Sequence, residues 1–450
     1  MRLVGSAIVA FALAALVGCS GEDDRAAEEL DAGAVATTAP QTIAPTTSTT
    51  VPTTTTTAPP AVTTGARSLV DEGFASLAGQ RVGLVANPTS FVGDDHLIDL
   101  LDAAPDVELA AIFAPEHGLR GVGGAGELLD DEIDRRTGVT VFSLYGDTFR
   151  PTPEMLEGID VLLYDLQDVG SRFYTYIATM GFAMEAAAEA GIEFVVLDRP
   201  VVSGGELTGG FVLVDEQRSF VGPYELPAAY GLTSGELATM LIGEGWLDAD
   251  PELRVVELSG WRRGMRWDET GLRWVPPSPG LPTVESALVY PGTVFLEATT
   301  VSFGGGTDFP FSMAGAAWID GPALATELSD RGLPGVSFEA VEFTPRPIPG
   351  RTRSPRFEGE DLAGVRIVIE DEGSFRPVET GIHLLEALVR QGEAVDEVVI
   401  DRPEWVDLLA GTTRLRELLE AGAPAAEIVA AWADEVAAFD ELRRPYLRYG

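Results

Sequence analysis

Polar side chains follow five apolar stretches in the first half of the chain, at the points where predicted strands end. In an open α/β sheet, ligands bind beyond the carboxyl ends of the strands, so these side chains are expected to line one cleft. Carboxylates there could move protons, and the mixture of carboxylate, guanidinium and hydroxyl groups fits a carbohydrate or another hydroxyl-bearing anion. For Asn87 or Asp147 taken alone, a turn or a helix cap is the favoured interpretation. The candidates are Asn87, Glu116, His117, Arg120, Tyr145, Asp147, Asp168, Arg172, Asp198 and Arg199.

Glu116 is the candidate proton donor. It follows an apolar stretch and Pro115, where burial would raise the pKa of its carboxyl toward neutrality. A carboxylic acid with such a pKa protonates a leaving oxygen effectively, as glycoside hydrolysis requires. His117, the next residue, would orient Glu116, contact a sugar, or serve only the fold.

Short apolar runs alternate with helical patterns in the first half, which predicts an α/β fold with a parallel sheet wrapped by helices. The second half is less regular, and we interpret the two halves as two domains. Strands are predicted at 81–86, 108–114, 139–144, 161–166 and 194–197. Helices are predicted at 97–103, from Thr152-Pro153-Glu154, at 173–190, and in the tail at 404–421 and 424–442.

Composition excludes several classes of protein. All 30 basic residues are Arg, so enzymes that need a Lys amine, such as P-loop NTPases and Schiff-base enzymes, are excluded. A formal net charge of −41 repels phosphate backbones, so no nucleic-acid partner is expected. The glycine-rich stretch 121–126 follows no strand directly and precedes acidic residues, which argues against a dinucleotide cofactor. The three His lack metal-ligand spacing, and we expect neither a metal nor a cofactor.

The N-terminus resembles a bacterial lipoprotein signal. A charged start and a short apolar run lead to Leu16-Val17-Gly18-Cys19, a sequence similar to a lipobox, in which the Cys is acylated and becomes the first mature residue. An uncleaved signal anchor is the alternative. Residues 33–66 hold fourteen Thr and five Pro and predict a disordered tether over 20–66. We therefore expect a signal peptide at 1–19 and an extracytoplasmic protein held at the membrane through Cys19.

A series of motifs, in order along the chain, resembles the exo-β-N-acetylmuramidase (NamZ-like) family of bacterial peptidoglycan-turnover enzymes. The resemblance implies a Rossmann-like catalytic domain at 67–286, a smaller α+β domain at 287–450, and hydrolysis of terminal N-acetylmuramic acid from the non-reducing end of peptidoglycan fragments. The motifs are Asn87-Pro88-Thr89, Pro115-Glu116-His117-Gly118-Leu119-Arg120-Gly121, Ser143-Leu144-Tyr145-Gly146, Pro151-Thr152-Pro153-Glu154-Met155-Leu156, Asp168-Val169-Gly170-Ser171-Arg172-Phe173-Tyr174-Thr175-Tyr176, Leu197-Asp198-Arg199-Pro200 and Pro445-Tyr446-Leu447-Arg448-Tyr449.

The resemblance also implies roles for individual residues. It indicates Glu116 as catalytic. Because muramic acid carries a lactyl carboxylate, Arg120, Arg172 and Arg199 are predicted to pair with it. Tyr174 and Thr307 join Asn87, His117, Tyr145 and Asp198 as expected substrate contacts.

The second half departs from the family pattern. Gly280 and Thr300 replace amides, and Phe303 and Gly305 replace a Glu and an Arg in the stretch that ends at Thr307. Glu297 is then the leading second carboxylate and Asp168 its competitor, unless the substrate's own N-acetyl group serves as nucleophile. These losses leave open an alternative, a non-catalytic or altered-specificity protein that binds cell-wall sugars. The oligomeric state is not predicted.

Overall fold

The computed structural model describes residues 62–119 and 127–450. The predicted signal peptide, Cys19 and Arg120 lie outside the described residues. The chain enters the fold at Val62, whose N–H donates to the carbonyl of Thr270 at 2.9 Å. Thr64 then caps helix α1 (Gly65–Asp71). Ordered structure therefore begins before the predicted boundary at residue 67, and the predicted disorder does not extend to the last residues of the tether.

A seven-stranded sheet forms the larger layer of the molecule. Its order is β5-β6-β4-β1-β7-β8-β9, and all neighbours are parallel except the edge pair β5 and β6. The central strands β1 and β7 are almost entirely buried, as strands covered by helices on both faces must be. The strands of this sheet are β1 (Arg81–Ala86), β4 (Glu108–Ala114), β5 (Glu132–Ile133), β6 (Thr140–Ser143), β7 (Val161–Asp165), β8 (Glu193–Leu197) and β9 (Leu253–Val256); β2 (Phe91–Val92) and β3 (Asp95–His96) form a separate hairpin.

The strand order reverses direction at β1. The chain runs outward from β1 to β4 and β6, then returns to the other side of β1 to form β7, β8 and β9. Apart from the edge strand β5, this is the order of a Rossmann-like sheet, whose ligands bind beyond the strand ends at the reversal. Residues that follow β1, β4, β7 and β8 therefore lie along one rim, as predicted.

Helices connect the strands, and most begin and end close to the predicted positions. The prediction of a helix that begins at Thr152 is wrong. That stretch forms only turns, which end at Gly158 with a φ of +74°. The long tail helices are each divided in two. The helices after α1 are α2 (Leu97–Asp102), α3 (Tyr176–Ala190), α4 (Ser234–Gly243), α5 (Val284–Thr293), α6 (Gly321–Asp330), α7 (Pro377–Glu393), α8 (Pro403–Ala410), α9 (Arg414–Glu420), α10 (Ala425–Ala430) and α11 (Ala433–Arg443).

A smaller antiparallel sheet forms the second region. Its order is β10-β12-β11, built from β10 (Met313–Ala316), β11 (Val336–Phe343) and β12 (Leu362–Ile369). Helices α5 and α7 touch backbone to backbone, since a Cβ on Gly292 would lie 1.9 Å from the carbonyl oxygen of Pro377 and one on Gly381 would lie 2.0 Å from that of Gly292. This contact fixes the short turn Val294–Ala298 that follows α5.

The two regions share one apolar interior. A single hydrophobic cluster contains Tyr164 of the large sheet and Phe338 of the small one. The fold class is the predicted one, a Rossmann-like parallel sheet joined to a smaller α+β region. Among the described residues, no helix has both the length and the apolar character needed to cross a membrane.

Candidate active site

Glu116 lies on a tight turn directly after β4. The N–H of Gly118 donates to the carbonyl of Pro115 at 2.9 Å, and His117 adopts a φ of +72°. A residue other than glycine in this left-handed conformation is strained, and such strain clusters at functional sites. The turn leaves Glu116 partly exposed while His117 is buried. Thr175, the residue before α3, donates its hydroxyl to Glu116 Oε2 at 2.7 Å.

Glu297 reaches the same place from the second region. It lies on the turn Val294–Ala298, is largely surrounded by protein, and keeps partial exposure to solvent. Burial raises the pKa of its carboxyl to about 7, and the nearby charge of Glu116 acts in the same direction. A hydrogen bond from Trp405 and the positive charge of Arg402 lower the pKa but do not offset the burial.

Three tyrosines lie within electrostatic reach of Glu116, and one of them, Tyr290, is also within reach of Glu297. Burial is the main cause that raises the pKa values of Tyr145, Tyr174 and Tyr290, and the charge of Glu116 contributes to each. The ring of Tyr290 also lies 6.1 Å from that of Tyr174, edge to face. We refer to Glu116, Glu297, Tyr145, Tyr174 and Tyr290 as the two-carboxylate site. The structure therefore brings together four predicted site residues, and Tyr290 joins them.

Asp168 is near this site but faces inward. It is buried and accepts hydrogen bonds from the Tyr230 hydroxyl and, at 2.7 Å, from the N–H of Val169. Burial raises the pKa of its carboxyl to about 6, against the lowering effect of these hydrogen bonds. These partners occupy Asp168 within the protein, which makes Glu297 the stronger second carboxylate.

Arg172 holds the two regions together and does not line the cleft. Its side chain is completely buried. The guanidinium donates to the carbonyls of Phe211, Leu226 and Leu409 at 2.7–2.9 Å, and the last of these belongs to α8. Burial lowers the pKa of the guanidinium to about 9. This arrangement argues for a structural role in place of the predicted contact with the lactyl carboxylate.

Arg199 and Asp198 also differ from their predicted roles. Arg199 pairs with the buried Asp165 through Nε at 2.6 Å and Nη2 at 2.9 Å. Asp198 is buried and accepts from Gly235 N at 2.9 Å at the start of α4 and from the Tyr449 hydroxyl at 2.5 Å. Both side chains are thereby bound to protein groups. Three arginines are predicted to bind the lactyl carboxylate. Two of them, Arg172 and Arg199, are bound to protein groups away from the two-carboxylate site, and Arg120 lies outside the described residues.

Asn87 is buried beneath the site. It is fully buried, accepts from the N–H of Thr89 at 2.9 Å, and donates to the Tyr176 hydroxyl at 2.7 Å. That hydroxyl donates in turn to the carbonyl of Pro277 at 2.5 Å. This is the turn-forming role favoured for Asn87 taken alone, and its substrate contact stays a prediction.

The loop 302–307, in which Phe303 and Gly305 depart from the family pattern, is called the altered loop below. Aromatic rings connect it to the site. Phe303 stacks on Phe311 with centroids 4.6 Å apart, and Phe311 meets Tyr290 edge to face at 4.9 Å. Phe311 has a φ of +64°. Thr307 donates its hydroxyl to the carbonyl of Gly304 at 2.6 Å and closes the loop. The loop thus presents an apolar surface toward Tyr290.

Sequence patterns do not point to Thr175, Arg402 or Trp405 as site residues. Thr175 lies in the motif that ends at Tyr176, and its place just before a helix is the one local signal for it. Trp405 and Arg402 lie more than 100 residues from Glu297 along the chain, and only the fold brings them together. Within the described residues, no three His, Cys, Asp or Glu side chains cluster as a metal site would require.

The geometry and the sequence place the chain in a known family. Residues 82–285 match the N-terminal model, and residues 288–449 the C-terminal model, of "Exo-beta-N-acetylmuramidase NamZ". The chain therefore belongs to the NamZ exo-β-N-acetylmuramidase family.

Individual relatives agree with this assignment. The peptidoglycan β-N-acetylmuramidase NamZ of Bacillus subtilis is 41% identical over 374 residues, which is 83% of this chain and 88% of the relative. Two solved structures of DUF1343 family proteins from Bacteroides fragilis share the fold, and each match covers 86% of this chain and 99% of theirs. Their identities are 38% and 32%, and their TM-scores are 0.79 and 0.71.

Proposed function

We propose that this protein is an exo-acting β-N-acetylmuramidase that hydrolyses terminal N-acetylmuramic acid from the non-reducing end of peptidoglycan fragments. Family membership and the Bacillus subtilis relative support this proposal. The observation that carries it is the meeting of Glu116 and Glu297, two carboxylates with different environments, in one partly exposed site. A pair of carboxyl groups in unlike environments is what glycoside hydrolysis uses.

The environments favour Glu297 as the acid. With a pKa of about 7, its carboxyl is protonated in a large fraction of molecules near neutrality and can give a proton to the glycosidic oxygen. The bond from the anomeric carbon to that oxygen then breaks, and its electron pair goes to the leaving sugar. Water supplies the hydroxyl at the anomeric carbon, and its second proton restores the acid.

Glu116 is suited to act as the charged partner. The hydroxyl of Thr175 donates to it, and this hydrogen bond orients its carboxyl group at the edge of the site. Its negative charge is felt by Tyr145, Tyr174 and Tyr290. The carboxylate of Glu116 would stabilise the positive charge that develops at the anomeric carbon. The sequence predicts Glu116 as the acid and Glu297 as the second carboxylate. The structure favours the reverse assignment.

Incubation of the protein with a disaccharide that ends in N-acetylmuramic acid tests the function. We expect release of free N-acetylmuramic acid, identified by mass spectrometry, and none of N-acetylglucosamine from a disaccharide that ends in that sugar. Binding without release would support the alternative, a sugar-binding protein on the same scaffold. If a correctly folded sample neither cleaved nor bound the substrate, both functions would be excluded.

We also propose that the protein is an extracytoplasmic lipoprotein anchored through Cys19. The sequence Leu16-Val17-Gly18-Cys19 after a short apolar run supports this proposal. The Thr- and Pro-rich tether would then separate the folded part from the membrane and let it reach cell-wall fragments.

A further inference from the structure

A second cavity opens on the same rim of the large sheet. It has a volume of about 370 Å³, and its floor includes Thr89, Gln167 and Arg199, which follow β1, β7 and β8. It therefore lies at the point where the strand order reverses, the place where Rossmann-like sheets bind ligands. Ligand cavities in proteins measure about 300–1,000 Å³, so this one suits a single sugar ring better than a glycan chain.

Three arginines line the cavity. Arg67, Arg199 and Arg273 line the cavity, and Asp94 is the only carboxylate among its lining residues. Arg67 is paired with Asp71 outside the cavity. Arg199 is likewise paired with Asp165, so Arg273 is the positive charge that the cavity can offer to an anionic ligand.

Two of these arginines have donors to spare. Arg199 is 7% exposed and uses Nε and Nη2 for Asp165, while its Nη1 has no hydrogen-bond partner among the described residues. Arg273 is exposed at the mouth, lies 4.6 Å above the ring of Phe91, and forms no ion pair with any described residue. A guanidinium with free N–H groups is suited to bind a carboxylate.

The walls of the cavity supply apolar surface. Phe91, Trp267 and Leu272 line the cavity, and aromatic faces of this kind pack against the C–H groups of sugars.

The cavity is distinct from the two-carboxylate site. Thr89 in its floor hydrogen-bonds to Asn87, and Asn87 hydrogen-bonds to Tyr176, whose neighbour Thr175 contacts Glu116. Asn87 and Tyr176 are buried, and none of the residues that line the cavity belongs to the two-carboxylate site.

We propose that this cavity is a second binding site, separate from the two-carboxylate site, for a carboxylate-bearing monosaccharide. The free Arg199 Nη1 and Arg273 bind the carboxylate, and the aromatic wall packs against the sugar ring. The choice of N-acetylmuramic acid as the probe rests on the proposed function, because that reaction releases this sugar.

Calorimetric titration of the protein with N-acetylmuramic acid tests the proposal. We expect two classes of site, of which one weakens at least tenfold in Arg273→Gln, which removes the charge, and in Leu272→Trp, which fills the cavity. Arg266→Gln is the matched control, since Arg266 is an exposed arginine outside the cavity that pairs weakly with Asp268. Hydrolysis by Arg273→Gln should stay within twofold of the unmodified protein.

Several results would overturn the proposal. The proposal fails if the titration shows a single class of site, or if neither cavity variant weakens the binding of N-acetylmuramic acid. It also fails if N-acetylglucosamine, which lacks the carboxylate, binds equally tightly. Equal binding of inorganic phosphate at this site would show an unselective anion site instead. A loss of hydrolysis in Arg273→Gln would make the cavity part of the two-carboxylate site. If hydrolysis is absent in every sample but the cavity variants still weaken binding, the proposed function fails and the second site stands.

Discussion

Glu297, from the second region of the chain, lies within electrostatic reach of Glu116, from the first. Burial raises the pKa of Glu297 to about 7, and the charge of Glu116 adds to that effect. Neither half of the molecule contains the pair by itself, so the site exists only where the two regions meet.

The assignment of the acid can be tested through the leaving group. Glu297→Gln should lower hydrolysis of the natural disaccharide by about 100-fold or more, because the leaving sugar needs a proton. A nitrophenyl glycoside, whose leaving group needs no proton, should be affected much less. Glu116→Gln should slow both substrates. Steady-state rates with the two substrates measure the difference, and the reverse pattern would return the acid role to Glu116.

The pH dependence follows from the same residue. If Glu297 is the acid, kcat/KM should fall as the pH rises through about 7, because the proton to be donated is lost. The Glu297→Gln variant should lack this descending limb. A limb that persists unchanged in the variant would contradict the assignment.

Stability should change in the opposite sense to activity when Glu297 is replaced. A carboxyl whose pKa rises on folding from 4.5 to about 7 favours the folded state fully below about pH 4.5, and this contribution is lost as the pH rises toward 7. Above pH 7 the folded protein bears the cost of a buried charge. Glu297→Gln should therefore raise the free energy of unfolding at pH 8 by about 1–3 kcal/mol. Urea unfolding measures this, with the exposed Glu393→Gln as control, and an unchanged or lower stability would contradict it.

Arg172→Leu should destabilise the fold. The substitution leaves buried carbonyls of Phe211, Leu226 and Leu409 without their donor, at a cost of about 3 kcal/mol. Protein that still folds should keep its KM for the substrate, because the guanidinium does not face the cleft. A stable variant with a strongly raised KM would restore the predicted contact with the lactyl carboxylate.

The altered loop offers a gain-of-function test. A Cβ on Gly305 would lie 3.1 Å from the ring of Phe303, so Gly305→Arg alone should disturb the loop, while Phe303→Glu with Gly305→Arg removes the clash. If the lost pair contributes to catalysis, we expect slow hydrolysis in the unmodified protein and at least a tenfold increase in the double variant. Equal rates in both would mean that the aromatic loop serves this protein's own substrate.

Cys19→Ser tests the membrane anchor. Without the thiol, acylation cannot occur, and the protein should be found as soluble protein or as unprocessed precursor. Fractionation of cells with an antibody to the folded part measures this. Processed Cys19→Ser protein that remained in the membrane fraction would contradict the lipoprotein proposal.

The sequence predicts the sheet well because its central strands are buried on both faces. Strands β1 and β4 match the apolar runs residue for residue, whereas the turns after Thr152 carried helix-start signals in a stretch too short for a helix. Arg172 shows what local patterns cannot predict. An arginine after a strand can face the cleft or turn inward, and the carbonyls that hold it come from positions far along the chain. The raised pKa of Glu297 likewise depends on packing that no motif records.

The backbone contact between Gly292 and Gly381 has a consequence for the geometry of the two carboxylates. A main-chain contact has no rotamers to choose from, so it sets the distance between α5 and α7 next to the turn that carries Glu297. The separation of two catalytic carboxylates decides whether a glycosidase inverts or retains configuration at the anomeric carbon. A side chain added at Gly292 or Gly381 would push the two helices apart, so we expect such a variant to change the separation of Glu297 from Glu116 and with it the course of the reaction.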